Sequence, residues 1–278
     1  MSAIISAADV KKLREMTGAG MMDCKQALAE SEGDFDKAIE FLRKKGQKLS
    51  VKRADREANE GVVLALVSDD HKRGVIVKLS CETDFVAKNE DFVKLTEKIA
   101  RIALEKFPDN VEGLLAESLE GGVTIGEKVT EQVGVIGEKI ELAAYEHLEA
   151  AQVCPYIHMG NKAGVLIGLN QDNPAFYDAG RDVAMQVAAM HPVALDKDDV
   201  DQTVIQKEIE IGMEQARQEG KPESMLEKIG QGKLGRFFKD NTLLNQQFVK
   251  DNSLTVRDYL HSFDKGLTAT GFKHVTLG

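Results

Sequence analysis

The chain has 278 residues, with 36 basic and 46 acidic side chains for a net charge of −10, and it is 42% hydrophobic and 29% charged. That length supports about two domains with real cores, and the balance fits a folded chain rather than a disordered one. The acidic excess argues against DNA or RNA as the main partner, because phosphate binding needs a dense basic face. No run approaches the roughly 18 apolar residues of a membrane span.

Three cysteines, Cys24, Cys81 and Cys154, lie far apart. An odd, sparse set makes no disulfide framework and suits a reducing compartment. Cys154 and His158 have ligand-like spacing, but no second pair completes the four groups of a structural zinc site, so neither a metal nor a cofactor is expected. The first residues show no basic-then-apolar leader pattern, and a cytoplasmic location is expected.

In chain order, residues 6 to 46 read as three short helices. Ser6 caps the first, with Asp9 in capping-box position, and Val10, Leu13 and Met16 follow at helical spacing. Gly18-Ala19-Gly20 breaks the pattern. The second helix carries Met22, Ala27 and Leu28 and ends near Gly33. Asp34 caps the third, with Phe35, Ala38, Ile39 and Leu42 inward and Gly46 taken as its C-terminal stop. Such a bundle has a thin core. Residues 1 to 53 carry 11 Lys/Arg and 8 Asp/Glu, a net of +3. The cluster Arg43, Lys44, Lys45, Lys48, Lys52 and Arg53 suits a helix C-terminus or a solvated linker, and alternatively a docking patch. Residues 47 to 58 read as a polar linker.

The remainder shows an internal repeat. Strands over 62–67 and 74–79, joined by the turn at 68–71, precede a helix carrying Phe92, Leu95, Ile99 and Leu104. Strands over 153–159 and 164–169, joined by Gly160-Asn161-Lys162, precede a helix carrying Val183, Val187 and Met190. Each unit is a hairpin followed by a helix, which needs further strands or helices for stability. The fold class is α+β: a three-helix bundle followed by a duplicated core, each half with helices on one face of a small antiparallel sheet. The expected division is 1–53 for the bundle, 54–140 for the first core unit and 141–278 for the second. A helical hairpin over 198–238 interrupts the second unit. Ile205, Ile209, Gly212 and Ala216 form its seam, and Gly220-Lys221-Pro222 its turn. It either projects from the body or lies flat on the core. A helix around Tyr259 and Leu260 and an edge strand over 271–277 close the chain.

Motifs for self-contained chemistry are missing. Gly232-Lys233 is the nearest approach to a phosphate-binding loop, but Glu227 replaces its first glycine and Leu234 its hydroxyl residue. No G-x-S-x-G elbow appears, and the six histidines are scattered. No catalytic residue is assigned.

The most telling segment is Cys81-Glu82-Thr83-Asp84-Phe85-Val86-Ala87, between the second strand and a helix beginning near Asn89. An acid and a bulky ring share a corner where chains usually put small turn formers. Such a ring either folds back into its own core or enters a partner. Met16, Met21 and Met22, around the glycine turn, either fill gaps in the bundle or form an adaptable docking face. Ile136-Gly137-Glu138 reads as a turn after a strand-like stretch, and His158 ends a strand.

Two of these segments resemble signatures of one family, bacterial elongation factor Ts, the guanine nucleotide exchange factor of elongation factor Tu. The run Leu13 to Leu28 is similar to its N-terminal signature, and Thr83-Asp84-Phe85-Val86-Ala87 to its second. The resemblance spans essentially the whole chain. It implies a ubiquitin-associated-like bundle and a role without catalytic chemistry of its own. It further implies that Thr83, Asp84, Phe85 and Val86 approach the magnesium site of elongation factor Tu, with Phe85 wedging into the partner so that GDP leaves. By the same matching, Arg14, Met21, Met22 and Lys25 belong to an N-terminal contact face, Ile136, Gly137 and His158 to core contacts, and Phe248 and Val249 to a contact in the second unit. Gln247 and Lys250 depart from the family pattern around that last pair. A homodimer through the core sheets or the helical hairpin is compatible with the family. The bundle with its glycine loop also fits an adaptor that uses this loop for a different partner.

Overall fold

A computed structural model describes residues 5–119 and 121–278. Helix α1 (Ala7–Thr17) starts at the expected Ser6–Asp9 capping box and ends at Gly18, which is left-handed at φ +72°. Helix α2 (Met21–Glu30) and helix α3 (Phe35–Arg53) complete the bundle. Its core is Val10, Leu13, Ala19, Cys24, Ala27, Leu28 and Ala38, with Phe35, Ile39 and Leu42 packed at the margin.

Helix α3 corrects the expected stop at Gly46 and the expected linker over 47–58. Gly46 is inside the helix and buried, and residues 47 to 53 remain helical. The reason lies in helix α7 (Ile125–Ile136), which crosses α3 there. A methyl group on Gly134 would come within 2.8 Å of the Gly46 Cα, and one on Gly46 within 3.2 Å of the Thr130 carbonyl oxygen. Two facing glycines thus let the helix backbones touch, a role that outweighs the helix-breaking tendency of glycine. Leu49, one turn on, packs on the first core. The bundle is therefore fastened to the core by its own last helix.

The first sheet has the order β1-β2-β3: β1 (Glu60–Val67), β2 (Arg73–Cys81) and β3 (Glu141–Glu149), all antiparallel. Between β2 and β3 the chain forms the one-turn helix α4 (Asp84–Ala87), helix α5 (Glu90–Lys106), the short α6 (Val111–Ala116) and α7. Strand β3 adds directly to β2, so residues 141–149 belong to the first sheet, on the other side of the expected boundary at 140. The second sheet has the order β4-β5-β8: β4 (Gln152–His158), β5 (Ala163–Leu169) and β8 (Ala269–Thr276). Helix α8 (Tyr177–Met190) covers its outer face, and the chain then forms the antiparallel helices α9 (Gln202–Gln218) and α10 (Glu223–Asn241). The two-stranded ribbon β6 (Gln247–Phe248) with β7 (Asp251–Thr255) leads to α11 (Val256–His261).

Strands β1, β2 and β5 are buried on both faces, which explains their continuous apolar runs. In β1 and β2, Val62, Leu64, Val75, Val77 and Leu79 face the helical layer with Phe92, Ile99, Ile125 and Val133. The alternate residues Val63, Ala65 and Ile76 meet Val153 and Leu166 of the second sheet. The two sheets thus pack on each other, with helices outside: the outer core of the second unit comprises Val165, Ile167, Leu169, Val183, Val187 and Leu260. Gly74 and Gly164 admit this approach, since a methyl group on either would press within about 3 Å of side chains from the opposite sheet. Two main-chain bonds stitch the halves, Val63 N–H to Asn161 O at 2.8 Å and Val153 N–H to His71 O at 2.5 Å.

Helices α9 and α10 pack mainly on each other. Gly212 faces Gly230 and Lys233, and Ala216 and Leu226 are buried along the seam. The hairpin therefore projects rather than lying flat on the core.

Candidate functional site

The corner after β2 is built from its backbone outward. Thr83 is extended and caps α4: its hydroxyl oxygen faces the Val86 N–H at 3.5 Å, and its carbonyl accepts from Ala87 N–H at 3.2 Å. Val86 and Ala87 fold down onto the first core. Phe85, on the opposite side of this single turn, is 83% exposed. The same turn that packs Val86 and Ala87 inward thus turns the ring outward, and the choice between core and partner goes to the solvent side. Asp84 forms an i,i+4 pair with Lys88 at 2.6 Å. The hydrogen bond and the charge of Lys88 hold its carboxyl below the ordinary aspartate range. Asp84 also stands at the N-terminus of the turn, where a negative charge is favoured.

Two carboxylates hold the corner from below. Glu138 Oε2 accepts from the backbone N–H groups of Glu82 at 3.1 Å and Thr83 at 3.0 Å, and its Oε1 accepts from the Thr83 hydroxyl at 2.7 Å. In return, Glu82 Oε1 accepts from the Lys139 N–H at 2.6 Å and Arg53 Nη1 at 2.8 Å, while its Oε2 accepts from Arg56 Nη1 at 2.9 Å. Partial burial works to raise the Glu82 carboxyl, but the Lys139 N–H and the guanidiniums of Arg56 and Arg53 outweigh it and bring it down to about 2. Beneath the corner, burial and the negative charge of Glu138 push the Cys81 thiol up to about 12, which makes it an inert core residue. Arg53 is thereby assigned to a structural ion pair rather than to a free basic patch.

Ile136 and Gly137 lie beside this clasp. They end helix α7 instead of following a strand, and Gly137 is its left-handed cap at φ +80°. A Thr124–Glu127 capping box starts α7. Ile136 is half-buried against the first core. A methyl group on Gly18 would lie 3.6 Å from Val135 Cγ1, so the glycine loop of the bundle rests on the last turn of α7. Ala19 in that loop is buried. Loop and corner are therefore neighbours through one helix end.

Around the loop, Arg14, Met21, Met22 and Lys25 are all exposed, and Met22 is 75% so. Met16 is exposed as well, on a cleft of about 580 Å³ that the bundle shares with α5 and α7. None of the three methionines fills the bundle, because Cys24, Ala27 and Leu28 already do. His158 ends β4, and its Nδ1 lies 3.0 Å from the Tyr156 hydroxyl. The turn after it bonds to β1 at Val63, three residues from Glu60, which pairs with Cys81. At about 3.3 Å per residue, that turn is roughly 10 Å along β1 from the foot of the corner.

The second-unit pair separates. Phe248 is 2% exposed, and its ring stacks on Tyr259 with centroids 4.0 Å apart. Its ring belongs to the second core. Val249 is exposed, and its N–H donates to Gln186 Oε1 at 2.8 Å. The residues missed in sequence are Glu82, Glu138, Arg53 and Arg56. They carry no local signal, since each finds its partner across tens of residues. Among the described residues, no group of three or more His, Cys, Asp and Glu side chains is arranged to hold a metal, and no helix is long and apolar enough to cross a membrane.

The family model described as Elongation factor TS matches residues 82–278. Curated relatives named Elongation factor Ts are similar along nearly their full length. Identity is 55% with the protein of Christiangramia forsetii, covering 99% of this chain and 100% of that one. It is 54% with that of Flavobacterium psychrophilum, again over 99% and 100%. It is 54% with that of Cytophaga hutchinsonii, over 98% and 99%. Matches of this extent and identity place the chain in the elongation factor Ts family, and it is a translation elongation factor.

Proposed function

We propose that the protein binds elongation factor Tu in its GDP-bound form and promotes GDP release. Phe85 enters the partner near its magnesium and phosphate site, the metal and phosphate loop lose their alignment, and GTP takes the vacated place. The observation that carries this reading is an almost fully exposed aromatic ring on a braced one-turn helix, in a chain of this family. Arg14, Met21, Met22 and Lys25 supply a second, adaptable contact, and Ile136, Gly137, His158 and Val249 extend the contact on the core. The protein acts in the cytoplasm as an exchange factor without bond-making chemistry of its own.

The magnitudes require such a divided surface. A thousandfold faster release means a barrier lower by about 4 kcal/mol. Burying one phenylalanine contributes roughly 1.5–3 kcal/mol. The ring cannot supply the whole effect, so the N-terminal face and the lost metal contacts contribute the rest. Linkage adds that GDP weakens the complex by the same factor by which the protein weakens GDP. The contact of the glycine loop with Val135 speaks against an adaptor that uses this loop freely for another partner. The test is release of fluorescent GDP from elongation factor Tu chased with unlabelled nucleotide. Catalytic amounts of this protein accelerate it if the proposal holds, and an unchanged rate at stoichiometric amounts refutes it.

A further inference from the structure

We propose that Glu82 and Glu138 are positioning residues, a reciprocal carboxylate clasp that sets the direction of Phe85 and, through Arg53, ties it to the long helix of the N-terminal bundle. The inference rests on the reading of Phe85 as the inserting side chain. Each carboxylate binds the backbone beside the other: Glu138 takes the N–H groups of residues 82 and 83, and Glu82 takes that of residue 139. Backbone donors are the groups that fix the path of a chain, and bonds from N–H to a charged acceptor are the stronger kind. The Thr83 hydroxyl is held by Glu138 Oε1 while its own oxygen faces the first turn of α4, so the clasp reaches the turn that bears Phe85.

Arg53 gives the clasp its second function. It is in the last turn of α3, whose other end belongs to the bundle that carries Met21 and Met22. Its bond to Glu82 at 2.8 Å joins that helix to the corner, and the Gly46–Gly134 crossing joins the same helix to α7, which leads into Glu138. Both contact faces therefore hang on one frame. An aromatic ring held ready loses less conformational freedom on binding than one on a loose loop.

Glu138→Gln tests this, because the carboxamide keeps the shape but cannot present two charged oxygens to three donors. Two measurements are made on the full chain. Amide hydrogen exchange of Glu82 and Thr83 is expected to speed up at least tenfold, with distant core amides unchanged. GDP release from elongation factor Tu is expected to slow about tenfold in the single variant, and less than twofold when Glu138→Gln is added to Phe85→Ala, since a residue acting through Phe85 has nothing left to position. Unchanged amide exchange overturns the clasp, whatever Phe85 does. Equal slowing in both backgrounds overturns its action through Phe85. If Phe85→Ala alone leaves release unchanged, the insertion reading itself fails, and the functional half of this proposal fails with it. Thr83→Val, which removes the hydroxyl's bond to Glu138 and its cap on Val86 N–H but leaves both backbone bonds to Glu138, repeats both measurements should Glu138→Gln fail to fold.

Discussion

At the scale of single residues, exposure separates side chains that sequence treats alike. The family resemblance points to both Phe85 and Phe248, and in the structure one ring faces solvent while the other stacks on Tyr259 inside the second core. Local pattern could not distinguish them, because the stacking partner lies eleven residues on, in another element. Glu82 makes a prediction about pH. Its folded carboxyl sits at about 2, below its ordinary value of 4.5. Its stabilising contribution is therefore fully present above about 4.5 and is lost as the pH falls towards 2. Glu82→Gln removes that part of the acid slope, on the order of 2 kcal/mol once the full shift is discounted for solvent screening. Denaturant melts of both proteins between about pH 5 and 2.5 check it: the wild type converges on the variant as the pH falls, and parallel curves contradict the assignment.

At the scale of elements, the hairpins and the long helices were legible because their apolar periods are strong and their caps are local. In helix α3, a glycine after basic residues looks like a stop, and only the crossing helix reveals why it is not one. Strand β3 escaped because its residues alternate between buried and part-exposed without a clean apolar face, as in Ala143, Glu146 and His147. The glycines now divide into two kinds with opposite predictions. Gly134→Ala drives a methyl group to 2.8 Å from the Gly46 Cα, where no side chain can yield, and is expected to destabilise by about 1–3 kcal/mol despite the better helix former. Gly232, in the middle of α10, has open space around its Cβ position. Gly232→Ala is expected to stabilise the hairpin by up to about 1 kcal/mol. Thermal melts of the two variants in parallel are the check, and a stabilised Gly134→Ala would refute the close crossing.

At the scale of the whole molecule, two sheets face each other and carry their helices outside, with the bundle fastened to one end. The repeat was visible in sequence, but the packing of one unit on the other was not, since a strand buried on both faces does not say what covers each face. The three cysteines report on the three parts, Cys24 in the bundle, Cys81 in the first core and Cys154 in the second. All are buried, and burial pushes the Cys81 and Cys154 thiols up to about 12 and raises that of Cys24. Native protein is expected to resist a thiol reagent, with Cys24 reacting first because the small bundle opens most easily. Mass-resolved labelling reads the order. Simultaneous reaction of all three would show one cooperative unit.

The frame exists, on this account, to present Phe85. The most direct test compares GDP release from elongation factor Tu driven by the wild type and by Phe85→Ala, with melting curves alongside. Because the ring is exposed, the variant is expected to melt within about 1 °C of the wild type, and because its burial on the partner is lost, release is expected to slow about 10- to 100-fold. Equal release by two equally stable proteins would contradict the wedge.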